Sequence, residues 1–123
     1  MQPVKIVNIG VKLPVRNLEQ ARFFYESVLG LKVEKESKVL VKCGCIVLVP
    51  LDSNKNIGKQ TDSFHSNSYN TIYLEIDSIV EAYNNVCQFG SKILKPISER
   101  QGRRCFDCLD PDRNVVEIFE MKF

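Results

Sequence analysis

Glu117 is the residue of this chain best placed to do chemistry, because it is a carboxylate set in the apolar run Val115, Val116, Ile118 and Phe119. If that run is a strand, period two puts Val115, Glu117, Phe119 and Met121 on one face. A carboxylate partly desolvated by such neighbours can act as a base or anchor a cationic or hydroxylated ligand; equally, it can be half of a cross-strand ion pair. Tyr69, Thr71, Tyr73 and Glu75 share the face opposite Ile72, Leu74 and Ile76. Tyrosine joins a flat apolar body to a hydroxyl tip, which suits an aromatic or amphipathic small molecule, although the same pattern describes the polar outer face of a sheet.

Arg100, Arg103 and Arg104 surround Gln101-Gly102 and carry the donors to clamp a carboxylate or phosphate, unless they form a solvated loop. Cys43-Gly44-Cys45 and Cys105-Phe106-Asp107-Cys108 have the short spacings of structural zinc sites. Residues three apart on a strand point to opposite faces, however, which separates Cys105 from Cys108 and removes a thioredoxin-type pair as well. Free thiols are therefore expected, with Cys105 the one to test for reactivity. The single histidine, His65, lies in a polar stretch between the two halves of the chain, as a solvated loop residue or a group that a flap brings over a cleft.

The elements that must position these residues come as a repeat. Val7, Ile9, Val11, Leu13 and Val15 alternate into Asn17, a helical pattern through Leu18, Ala21, Tyr25 and Val28 follows, and Gly30 closes it. Ile72, Leu74 and Ile76, then Ser78, Ile79, Ala82, Val86 and Phe89, then Gly90 repeat the pattern 60 to 61 residues later. Asn17 with Gln20 and Ser78 with Glu81 are capping-box pairs, the second the stronger, and the glycines suit a left-handed helix end. The first half reads as a strand over 4–15, a helix over 17–29 and strands near 31–36, 38–42 and 45–50. Residues 51–68 read as a linker or flap. The second half has a strand over 69–77, a helix from Ser78 to Gly90 and strands over 92–97, 103–109 and 115–121, with a tight turn at Asp110-Pro111-Asp112-Arg113-Asn114. Neither half is large enough for a good core alone, so the halves should pack together, with a ligand cleft at their seam.

Composition narrows the function. The 123 residues are 44% hydrophobic and 26% charged, the balance of an ordinary globular domain. The net charge of +2 is scattered, so nucleic acid is not an expected partner. Five cysteines, an odd number, argue against a disulfide framework. No apolar run nears the roughly 20 residues that span a bilayer, and Met1-Gln2-Pro3-Val4-Lys5 does not open a secretory signal, so no membrane partner and a cytoplasmic location are expected.

A doubled β-α-β-β-β unit with Phe23-Phe24-Tyr25, Val28-Leu29-Gly30-Leu31 and Asp110-Pro111-Asp112-Arg113-Asn114-Val115-Val116-Glu117 resembles the vicinal oxygen chelate superfamily of glyoxalase I, fosfomycin-resistance proteins, extradiol dioxygenases and bleomycin-resistance proteins. The resemblance covers nearly the whole chain. It implies an α+β fold in one domain over 1–123, in which two tandem βαβββ modules (about 4–50 and 69–123, with linker 51–68) form curved mixed sheets around a cleft, and it implies a homodimer. Metal-using members of the superfamily hold a divalent ion with a first-strand residue, commonly histidine, and a last-strand residue, commonly glutamate, from each half. Laid onto this chain, those positions are Gly10, Thr71, the apolar run 46–49 and Glu117. One carboxylate does not hold zinc, nickel or iron against water, so no metal and no cofactor are expected. The resemblance then implies a small-molecule-binding protein with Glu117 as the candidate catalytic residue and Tyr69, Thr71, Tyr73, Phe119 and Arg104 as candidate ligand-binding residues. A lyase or isomerase of the glyoxalase I type and a non-catalytic regulatory or interaction module are the alternatives. The mild positive charge and the arginine cluster point away from a cationic drug such as bleomycin. At position 113, where the family usually has glycine, this chain has arginine, an exchange that removes conformational freedom but leaves Asn114 able to take a positive φ and is expected to be harmless.

Overall fold

Each half of the chain builds the same four-stranded sheet. The structure, a computed structural model, describes residues 1–6, 9–51 and 71–121. In the first module β1 (Val11–Val15) is followed by α1 (Leu18–Arg22), a π-helical segment (Phe23–Val28), β2 (Val33–Ser37), β3 (Leu40–Cys43) and β4 (Ile46–Pro50). In the second, β5 (Thr71–Ile76) leads to α2 (Ile79–Phe89), β6 (Ile93–Arg100), β7 (Arg103–Leu109) and β8 (Val115–Glu120). The sheet orders are β1-β4-β3-β2 and β5-β8-β7-β6. In both, the first strand of the module runs parallel to the last and the other neighbours are antiparallel. This is the α+β pair of βαβββ modules that the repeat in the sequence implies.

Both helix starts are capped as their residue types require. Asn17 Oδ1 accepts from Gln20 N at 2.9 Å and Ser78 Oγ from Glu81 N at 3.4 Å, so the first cap is the closer one. The first helix differs from the continuous α-helix expected over 17–29. After Arg22 it widens, with Leu29 N bonding Phe24 O, five residues back, at 3.0 Å. A wider turn brings consecutive residues closer to one face, and both Phe24 and Tyr25 are fully buried. Their rings meet edge to face at 5.2 Å, and Phe24 also meets Phe89 of α2 at 5.5 Å. The first strand is shorter than expected: it begins at Val11, and Val4 and Ile6 are exposed. Val7, Asn8 and the whole of 52–70 lie outside the described residues.

One apolar cluster joins the modules, drawing Leu13, Phe24, Val41 and Leu48 from the first and Ile79, Val86, Phe106 and Ile118 from the second. A polar staple reinforces it. Asp110 accepts from Asp112 N and Asn114 N, both at 2.8 Å, from Asn114 Nδ2 at 2.9 Å, and from the Tyr25 hydroxyl of the first module at 2.5 Å. Arg16 donates to Asp112 beside it. In this turn Arg113 itself takes the positive φ, +68°, in place of Asn114. Asn114 is held by its bonds to Asp110, which leaves the left-handed position to its neighbour.

All five cysteines are free thiols, with Cys43, Cys105 and Cys108 buried. Cys105 stands opposite Phe119 and Cys108 opposite Val116, on opposite faces of the sheet as strand parity requires.

Candidate functional site

Register decides which side chains share the open face of the second sheet. Tyr73, Glu117 and Asp107 lie side by side across β5, β8 and β7, and Glu75, Phe119 and Cys105 form the next row. The opposite face carries Ile72, Leu74, Val116, Ile118 and Phe106 towards the core. Gln101 and Gly102, with φ of 54° and 74°, make the tight turn between β6 and β7, which sets Arg100 and Arg103 directly opposite each other. Two like charges in that position repel, and both guanidinium groups turn to carboxylates of the open face.

Arg100 folds back over the middle of that face. Its Nε donates to Cys105 Sγ at 2.7 Å, Nη1 to Glu117 Oε2 at 3.2 Å and Nη2 to Asp107 Oδ1 at 2.5 Å. The bond to Asp107 raises the guanidinium pKa further above its ordinary value, so the group is a permanent cation. Arg103 donates to the Tyr73 hydroxyl at 2.7 Å and pairs with Glu75. Both guanidinium groups sit over the Phe119 ring, at 5.5 Å for Arg100 and 5.0 Å for Arg103. Tyr73 stacks against the same ring at 5.1 Å and remains exposed. Tyr73, Arg100, Gln101, Glu117 and Phe119 line a cavity of 440 Å³. A second cavity, of 520 Å³, lies at the seam between Val11, Leu13 and Ile46 of one module and Thr71, Ile72 and Leu74 of the other. Tyr73 lines both.

A family model for the glyoxalase-like domain matches residues 9–122. The chain belongs to that family. Its place in the vicinal oxygen chelate superfamily agrees with the motifs quoted above, and solved structures share the fold. A protein of unknown function from Agrobacterium tumefaciens str. C58 is 21% identical with a TM-score of 0.78, over 99% of this chain and 98% of that one. A glyoxalase/bleomycin resistance protein/dioxygenase family enzyme from Burkholderia phytofirmans PsJN is 19% identical with a TM-score of 0.73, over 91% and 96%. TnmS3, an antibiotic binding protein from Streptomyces sp. CB03234, is 16% identical with a TM-score of 0.66, over 99% and 100%. At these identities the likeness is one of fold. No curated protein matches this chain at a significant level.

In this glyoxalase-like domain the structure brings Glu117, Tyr73 and Phe119 together at one cavity and sets Thr71 at the seam cavity beside them. Tyr69 and His65 lie outside the described residues. Arg104 is separated from the rest. One residue on from Arg103, it points to the opposite face and holds both oxygens of Glu120, at 2.9 and 2.8 Å. Those bonds and one from Ile79 N keep the Glu120 carboxyl below the usual carboxylate range. Arg100 and Arg103, two of the three arginines weighed as an anion clamp or a solvated loop, pair with carboxylates of their own sheet. Asp107 went unnoticed as a site residue. Its signal was a carboxylate within the apolar end of the strand, between Cys105-Phe106 and Cys108-Leu109.

The metal positions implied by the superfamily are Gly10, Thr71, the run 46–49 and Glu117. A Cβ on Gly10 would come 2.9 Å from Val47 Cγ2, so β4 already fills the space a ligating side chain would need. Glu117 is held by Arg100. Among the described residues no three His, Cys, Asp or Glu side chains gather as a metal-holding set, and no helix is long and apolar enough to cross a membrane.

Proposed function

We propose that this glyoxalase-like domain binds a small organic molecule over the open face of its second sheet, with Tyr73 and Glu117 as the main contacts and without a metal ion. The observation that carries the reading is the state of Glu117. Its Oε2 is bonded to Arg100, while Oε1 has no partner among the described residues and the side chain lines the 440 Å³ cavity beside the exposed Tyr73 ring. A planar molecule stacked on Tyr73 with an N–H or O–H group directed to Glu117 satisfies both contacts. Charge favours a donor over an anion: Glu75, Asp107 and Glu117 outnumber Arg100 and Arg103 on this face. The antibiotic-binding TnmS3 has the same fold, which supports an amphipathic, antibiotic-like ligand. Glu117 is an anchor in this reading and not a base, because one of its oxygens is already committed.

A cytoplasmic two-fold dimer completes the proposal. Among the described residues β1 is an edge strand that begins at exposed Val11, and exposed Val4 and Ile6 precede it, apolar surface that association would cover. Native mass spectrometry of gently purified protein tests both points. The expected spectrum is a dimer that retains or takes up organic molecules of a few hundred daltons; a monomer that never gains mass from any compound offered contradicts the proposal.

A further inference from the structure

Arg113 carries the one guanidinium group among the described residues that no carboxylate holds. Arg16, Arg22, Arg100, Arg103 and Arg104 each pair with a carboxylate, whereas the Arg113 side chain makes no hydrogen bond or ion pair. Its backbone stands at φ of +68°, a conformation that glycine takes freely and a side-chain-bearing residue takes only under strain. The exposed Lys92 side chain has no partner among the described residues either. Both line a cavity of 360 Å³, together with Gln20 and the apolar residues Phe89, Leu109 and Pro111. We infer that this cavity is a second binding site, for a small organic carboxylate whose anionic group is held between Lys92 and Arg113 and whose apolar body lies against Phe89, Leu109 and Pro111.

The fold brings the two cations to one place. Gly90 ends α2 at φ of 95°, and the chain runs through Ser91 into Lys92, whose carbonyl accepts from Leu109 N at 3.0 Å at the end of β7. Arg113 N donates to Asp110 O at 3.0 Å and closes the turn that follows β7. Lys92 and Arg113 therefore flank the same strand end. Asp110 also borders the cavity, but both its oxygens are occupied by donors of its own turn and by the Tyr25 hydroxyl. Two free cations beside a single committed carboxylate leave a net positive charge that suits a monoanion. A guanidinium fork and an ammonium match the two oxygens of a carboxylate, and Gln20 adds an amide donor. Strain points the same way, because side chains held in costly backbone conformations cluster where they are used. The cavity shares no residue with the one beside Glu117, so the inference goes beyond the small-molecule reading of the open face and does not depend on it.

Benzoate, titrated at low ionic strength and followed by amide chemical shifts, tests it, with benzamide as the neutral isostere and inorganic phosphate as an oxyanion without an apolar body. Benzoate is expected to shift the amides of Gly90, Ser91, Lys92 and Arg113 saturably and to bind more tightly than benzamide or phosphate. Arg113→Gly and Lys92→Ala are each expected to weaken benzoate about tenfold, the weight of one charge-assisted hydrogen bond. Arg113→Gly should at the same time melt above the wild type, so its loss of binding is not a loss of fold. Arg104→Ala removes an equal charge near the other end of β7 and is expected to leave the benzoate affinity unchanged. Benzoate that fails to bind saturably, that benzamide or phosphate matches, or that shifts amides elsewhere overturns the inference. So does Arg113→Gly or Lys92→Ala protein that binds benzoate as tightly as the wild type, or Arg104→Ala protein weakened as much as Arg113→Gly.

Discussion

The Tyr25 hydroxyl donates to Asp110 Oδ2 at 2.5 Å, joining the modules across 85 residues of sequence in a fully buried contact. The π-helical widening that turns both Phe24 and Tyr25 inward makes the bond possible. Asp110 keeps three donors from its own turn without it. Tyr25→Phe is therefore expected to cost about 1.5–3 kcal/mol in urea unfolding, the range of a hydrogen bond to a charged group. Asp110→Ala orphans the tyrosine and the turn together and is expected to cost more.

Alkali should weaken the fold. Burial, reinforced by the charges of Asp110 and Asp107, pushes the Cys108 thiol from its ordinary 9.0 up to about 12, and burial beside Asp110 pushes Tyr25 well above 10. In both cases the folded pKa is the higher, so the native state holds its proton when the unfolded chain has lost it. Their contribution to stability is complete below about pH 9 and is lost as pH rises towards 12. Urea midpoints between pH 8 and pH 11 are expected to fall, and to fall less steeply in Cys108→Ala, which has no thiol to ionise.

Arg113 adopts φ of +68°, a conformation that costs a side-chain-bearing residue about 1–2 kcal/mol. Arg113→Gly is expected to raise the melting temperature by a few degrees, provided that the arginine makes no compensating contact. Among the described residues its side chain makes no hydrogen bond or ion pair.

Much of the fold was legible because its signals are local. Asn17 and Ser78 cap helices, Gly30 and Gly90 end them at φ of 87° and 95°, and β7 spans the residues its alternation marks. Two local features were not decisive. The alternation before Val11 looks like strand, yet the strand starts only where β4 offers a partner. Apolar spacing in the first helix fits an α- or a π-helix equally, and tertiary packing of Tyr25 accompanies the wider turn. The site was legible in part. Period two set Glu117 and Phe119 on one face and Tyr73 on another open one, but the alignment of these faces is a matter of register between strands distant in sequence. Arg100 was the hardest to place. Irregular pairing in β6 between Ile93 and Ser98 breaks the parity that would have assigned it to the face of Asp107.

The two carboxylates under Arg100 should differ in their cost of removal. Asp107 is buried and makes the short bond, whereas Glu117 is part-exposed and leaves Arg100 still paired when it is lost. Asp107→Asn is expected to cost about 2 kcal/mol or more, and Glu117→Gln less than about 1 kcal/mol, as for a solvent-screened pair. Parallel denaturant melts compare them, and a larger loss for Glu117→Gln would make that residue scaffold and not anchor.

The most direct measurement of the proposed binding face is a thermal-shift screen of small aromatic and amphipathic compounds, antibiotics included, on four proteins in parallel. The account predicts a compound that raises the melting temperature of the wild type and of Arg104→Ala, whose side chain lies on the far face of the sheet. The same compound should lose most of its effect on Tyr73→Ala and Glu117→Gln. A stabilising compound that acts equally on all four proteins, or one whose effect Arg104→Ala alone removes, contradicts it.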